Sequence, residues 1–147
     1  MPILGIIASQ DYTRITSSYE SIASATGTGS SGTITFSSIP STYASLQIRC
    51  STQLSSTSNY AIFRLNNDSS TANYTFHSMY GDGATVTADG YITGMDGAYS
   101  AYGTSTSQNA STVGTSIVDI HDYASTSKYK TIRSFAGYDN NGSGIVF

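Results

Sequence analysis

Nearly a third of this chain is Ser or Thr, with 27 Ser and 20 Thr among 147 residues. Their hydroxyl groups compete with the backbone for hydrogen bonds, and Thr is also stiff at χ1, so such a chain makes poor helices. The same residues fit exposed strand faces and turns. The composition therefore predicts an all-β protein built for surface display.

The rest of the composition narrows the class of protein. Only 10% of the residues are charged, the net charge is −3, and the Lys and Arg residues form no run, so we expect no nucleic-acid partner. Twelve Tyr and no Trp favour contact surfaces, because a tyrosine ring suits an interface while its hydroxyl suits water. The single cysteine, Cys50, is expected to be a small buried residue on a strand.

The first nine residues are apolar but too short to span a membrane, and no basic residue precedes them as in a signal peptide. We expect residues 1–18 to form an N-terminal arm and linker, and residues 19–147 to form one β-sandwich domain. The arm's aliphatic residues either anchor the chain to a neighbouring subunit or form an edge strand of its own sheet. These residues are Ile3, Leu4, Ile6 and Ile7.

Alternation of apolar and polar residues predicts eight or so short strands separated by Gly- and Ser-rich turns. They fall at 19–25, 33–37, 46–50, 60–65, 74–80, 115–121 and 130–138, with one or two more near 90–95 and 98–104. A short helix is the alternative at 74–80. In 60–65, either Ala61, Phe63 and Leu65 or Tyr60 and Ile62 face the core. Strands at this spacing are typical of an antiparallel, jelly-roll-like sandwich.

The predicted core consists of the large apolar residues of these segments. They are Ile22, Ile34, Phe36, Leu46, Ile48, Phe63, Leu65, Val118, Ile120, Ile132 and Phe135. Residues 139–144 contain Asn-Gly and predict a hairpin turn that leads into a last strand. Only three apolar residues follow that turn, so we expect either that the chain continues or that a neighbour completes the pairing.

Several blocks of sequence, in the same order and across nearly the whole chain, resemble a family of small virion structural proteins from tailed bacteriophages. These blocks are residues 1–9, 19–23, 34–43, 46–49, 80–83, 122–131 and 137–144. The resemblance implies a jelly-roll-like surface module that decorates the capsid or belongs to a tail, fibre or baseplate. It implies no active-site residue, and the family's members run on through further strands.

Asp119, His121 and Asp122 are the strongest candidates for a metal or acid–base site, since Asp119 and His121 share a strand face. No second ligand motif lies near them, so we expect instead ion pairs with Lys128, Lys130 or Arg133. Oxygen side chains at 139–143 resemble part of a calcium loop, but turn chemistry explains them. No Gly-x-Ser-x-Gly motif is present. We therefore predict no catalytic residue, metal or cofactor.

The Tyr residues between 91 and 102 suggest a sugar-binding platform, because aromatic rings stack on pyranose faces while carboxylates bind hydroxyl groups. The candidate residues are Tyr91, Tyr99 and Tyr102 with Asp89 and Asp96. Packing between subunits is the alternative role for the same rings.

These observations predict a non-enzymatic structural protein of a virion that self-associates, as a trimer, and docks on other virion proteins. Capsid decoration, as a cement protein, is slightly favoured. The alternative is a tail fibre or baseplate component, or a module that binds a host surface glycan. No membrane partner is expected.

Overall fold

The computed structural model describes residues 19–29, 32–54, 60–102, 104–105, 113–139 and 145–146. The chain divides into two compact units, Met1–Pro40 and Ser41–Phe147. All described secondary structure consists of strands and turns, which confirms the all-β prediction. The predicted boundary after residue 18 stays a prediction, and Ile3, Leu4, Ile6 and Ile7 lie outside the described residues.

The described residues of the first unit contain neither helix nor strand. The strands predicted at 19–25 and 33–37 are therefore wrong. So are the predicted core positions Ile22, Ile34 and Phe36, whose side chains are 41–50% exposed. Alternation tells which side chains of an extended segment share a face, but a strand also needs a ladder partner, which the local pattern does not specify.

The described residues of the second unit form nine strands. They are β1 Ser45–Leu54, β2 Tyr60–Phe63, β3 Phe76–Gly81, β4 Val86–Tyr91, β5 Ala98–Tyr102, β6 Thr104–Ser105, β7 Gly114–His121, β8 Thr131–Asp139 and β9 Ile145–Val146. The largest sheet has the order β6-β1-β7-β8-β9, and two further sheets are the pairs β2–β5 and β3–β4. All pairs are antiparallel except β1 with β6.

The centre of the largest sheet forms the core of the second unit. In β7 the alternating residues Ser116, Val118 and Ile120 are buried, and β1 places Cys50, Ile48 and Leu46 directly opposite them. β5 packs near β7 and β8 of this sheet. Val118 and Ile120 are buried, as predicted, while the β1 residues are half-buried. Cys50 lies on this inner face beside Ser116, with 2.8 Å between Sγ and Oγ.

One residue that was predicted in the core lies on the opposite, outer face of the same sheet. Phe135 pairs with Ile117 across β7 and β8, and its side chain is 67% exposed. Ile132 is half-buried opposite Ile120. Phe135 lies three residues further along β8, and an odd step in a strand reverses the face. Ile132 and Phe135 therefore could not both face the core.

The remaining strands follow the prediction more closely. Ala61, Phe63 and Leu65 are half-buried while Tyr60 and Ile62 are exposed, which settles the two alternatives for this segment. The strand predicted near 90–95 is wrong in position, because β4 ends at Tyr91 and residues 92–97 form a loop. The predicted final hairpin is confirmed by the antiparallel pairing of β8 with β9, although residues 140–144 lie outside the description.

Candidate functional site

Four aromatic rings from two sheets form a continuous series, which we call the aromatic row: Tyr60, Tyr99, Phe76 and Tyr91. The Tyr60 and Tyr99 rings meet edge to face at 5.0 Å between centroids. Phe76 lies 6.0 Å from Tyr99 and stacks on Tyr91 at 5.9 Å with an interplanar angle of 12°. Tyr91 and Tyr99, two of the three predicted platform tyrosines, are thus brought together through Phe76.

Strand register explains the row. Phe76 and Tyr91 are directly opposite in the β3–β4 pair, and Tyr99 pairs with Ile62 just past an irregularity in the β2–β5 pair. The ends of the row are the more exposed: Tyr91 is 54% and Tyr60 is 43% exposed, while Phe76 and Tyr99 are half-buried. Aromatic pairs at such distances stabilise each other by about 1 kcal/mol beyond their buried area. The two inner rings therefore hold the outer rings in place.

Polar side chains lie next to the Phe76–Tyr91 pair, on the same face of the β3–β4 sheet. Asp89 is directly opposite Ser78, and both share the face of Phe76 and Tyr91 because the side-chain period of a strand is two. Asp89 is exposed, and its Oδ1 accepts a hydrogen bond from the N–H of Gly90 at 2.8 Å. The arrangement places an exposed carboxylate and a hydroxyl beside a stacked ring pair.

Asp96, the second predicted acidic residue, has a different role. Its carboxylate forms an ion pair with Arg64, and Arg64 Nε also donates to the Asp96 carbonyl at 2.8 Å. The buried Gly97 permits this approach, since a Cβ there would lie 2.3 Å from Ile62 Cγ2 and 2.9 Å from the Phe63 carbonyl. The loop after β4 is therefore held against β2, and Asp96 serves that attachment.

Asp68 organises the loop between β2 and β3. It accepts hydrogen bonds from Ser70 N at 2.8 Å and Asn73 Nδ2 at 2.7 Å, which lower the pKa of its carboxyl group. The Tyr74 hydroxyl donates to the Asp68 carbonyl at 3.0 Å. Gly94 N donates across to the Thr71 carbonyl at 3.0 Å, so this loop also supports the loop after β4.

Asp82 closes the β3–β4 hairpin in the same manner. Its carboxylate accepts from Thr85 N at 2.7 Å and Ala84 N at 2.9 Å, and these bonds, with one from the Thr85 hydroxyl, lower the pKa of Asp82. Gly83 between them has a φ of 89°, which suits glycine. Both acidic residues are thus used to shape turns.

The candidate acid–base group forms ion pairs, as the sequence predicted. Asp119 accepts from Gln47 Nε2 at 2.8 Å and from Arg133 at 3.3 Å, and the Gln47 bond is the main cause that lowers the pKa of Asp119. Asp122 pairs with Lys128 at 3.1 Å. Among the described residues, no three His, Cys, Asp or Glu side chains converge as metal ligands would.

Lys130 forms hydrogen bonds to backbone carbonyl groups instead of the expected ion pair. Its ammonium group donates to the carbonyl oxygens of Asp122 at 2.9 Å and Lys128 at 3.2 Å, and also to that of Ser125. The turn starts with Asp122 at a φ of 51° and is closed by Ser125 N donating to the Asp122 carbonyl. Tyr129, which follows this hydrogen-bonded turn, is fully exposed.

The outer face of the largest sheet carries a shallow depression of about 420 Å³ near Ile117 and Phe135. Arg49, Ser51, Thr115 and Gly137 also line it. Arg49 Nε donates to Gln47 Oε1 at 2.7 Å, so the face joins an apolar pair to a polar network that continues to Asp119. Its open shape suits contact with another surface.

Sequence reasoning missed Phe76 and Tyr60 as members of the aromatic row. The alternation of residues 74–80 does place Phe76 on a strand face, but only the pairing of β3 with β4 shows that it meets Tyr91. Tyr102 ends β5 with its backbone opposite Tyr60, and its side chain lies outside the description.

Comparisons with protein-family models, curated proteins and solved structures find no match. In the described part of the chain, no helix has the length and apolar character needed to cross a membrane.

Proposed function

We propose that this protein is a non-enzymatic structural protein of a tailed-phage virion, a jelly-roll-like module that self-associates as a trimer and docks on a larger assembly. The phage placement rests on the sequence resemblance. The structural argument concerns self-association, and it begins with how little apolar surface the described residues bury.

The observation that carries the proposal is the balance between buried and exposed apolar side chains. In the described ranges only Met95, Val118, Ile120 and Ala136 are buried hydrophobic residues, whereas fifteen large ones are exposed. Single exposed apolar residues are ordinary, but adjacent ones form contact patches. Association of copies buries such patches without enlarging the core of each subunit.

Two patches fit this role. Ile117 and Phe135 are neighbours across β7 and β8 on the outer face, and are 42% and 67% exposed. On the β3–β4 hairpin, Met79 and Val86 share the face opposite the aromatic row and are about three-quarters exposed. With 10% charged residues, copies approach one another with little repulsion.

The hydrogen bonds and ion pairs of four aspartates support a structural role. Asp119 and Asp122 form ion pairs, while Asp68 and Asp82 shape turns. Ile3, Leu4, Ile6 and Ile7 are proposed to anchor the chain to its neighbours. Capsid decoration is slightly favoured, and copy number per particle separates the locations: hundreds of copies indicate the capsid, and tens or fewer indicate the tail.

The test is the mass of the full chain in solution, measured by light scattering and sedimentation. We expect a trimer, and we expect Phe135→Asp to shift it toward monomer because a buried unpaired charge opposes association. Tyr129→Asp is the matched control, since it changes an aromatic residue that is exposed on a separate turn. A wild-type monomer at concentrations of about 100 μM, far above a micromolar Kd, contradicts the proposal.

A further inference from the structure

The Tyr91 ring combines exposure with a fixed orientation. Phe76 stacks on it at 12°, and Phe76 in turn contacts Tyr99. Just over half of Tyr91 nevertheless remains exposed. A ring that is already held loses little conformational freedom when a ligand covers it. The face of an aromatic ring carries partial negative charge, so it attracts the slightly positive C–H groups of a pyranose.

The neighbours of Tyr91 supply hydroxyl-binding groups. Asp89 is two residues away on the same face, which is about 7 Å along the strand. The hydrogen bond from Gly90 N to Asp89 Oδ1 orients the carboxylate, and Ser78 lies directly opposite it. A sugar ring that lies on Tyr91 thus has an acceptor for its hydroxyl groups within reach along β4.

The mixture of groups distinguishes a sugar from a protein partner. Cores of protein–protein interfaces are depleted in Asp and Ser, whereas this face places both beside its aromatic pair. The exposed Asp89 and a net charge of −3 oppose acidic ligands. Asp96 is already held by Arg64, so it takes no part.

We propose that Tyr91, supported by Phe76, and Asp89, beside Ser78, form a binding site for neutral hexopyranosides: the sugar stacks on Tyr91 and its hydroxyl groups donate to Asp89. The site is independent of self-association, because it lies on the opposite face of the β3–β4 hairpin from Met79 and Val86.

The test titrates the ¹⁵N-labelled full chain with methyl β-galactopyranoside, methyl β-glucopyranoside, methyl α-mannopyranoside and glucuronate, followed by NMR. At least one neutral sugar binds with a Kd on the order of 1 mM, the strength expected of a single open platform. Backbone signals of β3 and β4 shift, and glucuronate binds several-fold more weakly. Absence of saturable binding by all three neutral glycosides overturns the proposal.

Variants separate the stacking from the hydrogen bonding. Tyr91→Ala reduces affinity by about tenfold or more, whereas Tyr91→Phe keeps the ring and stays within about twofold. Asp89→Asn weakens binding several-fold because a neutral acceptor is weaker than a carboxylate. Tyr129→Ala removes an exposed tyrosine elsewhere and leaves affinity unchanged.

Three results contradict these roles. Unchanged affinity in Tyr91→Ala removes the stacking role, and unchanged affinity in Asp89→Asn removes the acceptor role. A change in oligomer mass in Tyr91→Ala, measured on the same samples, assigns the ring to a subunit interface instead. The spectrum of Tyr91→Phe serves as the folding control.

Discussion

The β1–β7–β8 part of the largest sheet and the segment 60–102 are built in different ways. In β7 every second residue from Gly114 to Ile120 is buried, and the opposing residues of β1 are half-buried. In the segment 60–102, two strand pairs are connected by loops whose geometry depends on Asp68, Asp82 and Gly97. The first region is held by apolar packing, and the second by turn hydrogen bonds, one glycine contact and stacked rings.

The comparison teaches where exposed groups can be tolerated. A regular sheet needs an uninterrupted inner face, so its binding surface is limited to the outer face. The second region has shorter strands, and several of its large side chains, including Tyr60, Met79 and Tyr91, remain exposed. Its internal arrangement is nevertheless defined, because the loop after β4 is attached to both Arg64 and Thr71.

The largest difference between the two regions is expected from removing a core side chain. Ile120→Ala in β7 should destabilise the protein by about 3 kcal/mol, because Ile120 is 3% exposed and its loss leaves a cavity. Ile62→Ala in β2 should cost about 1 kcal/mol, since that side chain is 40% exposed. Urea unfolding measures both values. Equal losses contradict the distinction between a packed sheet and a looser second region.

A smaller effect is expected at the glycine that attaches the loop after β4. Gly97→Ala should cost about 2 kcal/mol, because its Cβ would meet Ile62 and the Phe63 carbonyl. Gly27→Ala is the control: nothing lies within 4 Å of a Cβ there, so the change should stay within about 0.5 kcal/mol. Thermal unfolding monitored by circular dichroism compares them. A neutral Gly97→Ala shows that the loop is not held as described.

The smallest effect concerns the polar network on the outer face. The pKa of Asp119 is lowered in the folded protein, chiefly by the hydrogen bond from Gln47. Its contribution to stability is therefore complete above the unfolded pKa of about 3.9 and is lost as the pH falls through the lower folded pKa. Gln47→Ala should raise the pKa of Asp119 toward its ordinary value. The stability of the variant should therefore decrease less steeply as the pH is lowered.

Carboxyl ¹³C chemical shifts followed from pH 6 to pH 2, conditions that bracket the ordinary carboxyl pKa, measure this change directly. Asp82 is the internal control, because its hydrogen bonds come from Thr85 and Ala84 on a separate hairpin. An unchanged pKa of Asp119 in Gln47→Ala would contradict the assigned cause.

Prediction from the sequence succeeded where the pattern is local and regular. The faces of residues 46–50 and 115–121 were correct, because alternation alone decides them. It failed at 33–37, where the same alternation occurs without strand formation, and at 19–25, where no strict alternation is present. Phe135 shows a different error. It was placed in the core because it is apolar, but it lies three residues after Ile132, so its side chain is on the opposite face of the strand.

Only part of the candidate site could be predicted from the sequence. The tyrosines and acidic residues near 91–102 suggested a platform, and Tyr91 and Tyr99 do contact a shared ring. Asp96, however, is engaged by Arg64, a residue 32 positions earlier in the chain. Such partners depend on pairings between distant segments, and local periodicity carries no information about them.

The sequence by itself determined the all-β class, the inner face of β7 and the turns shaped by Asp and Gly, since each depends on neighbouring residues and their backbone preferences. Tertiary structure decided which strands pair, why Phe135 is exposed, and how Phe76 joins Tyr91 to Tyr99. These outcomes require contacts between segments far apart in the chain, and a one-residue change in strand position would reverse them.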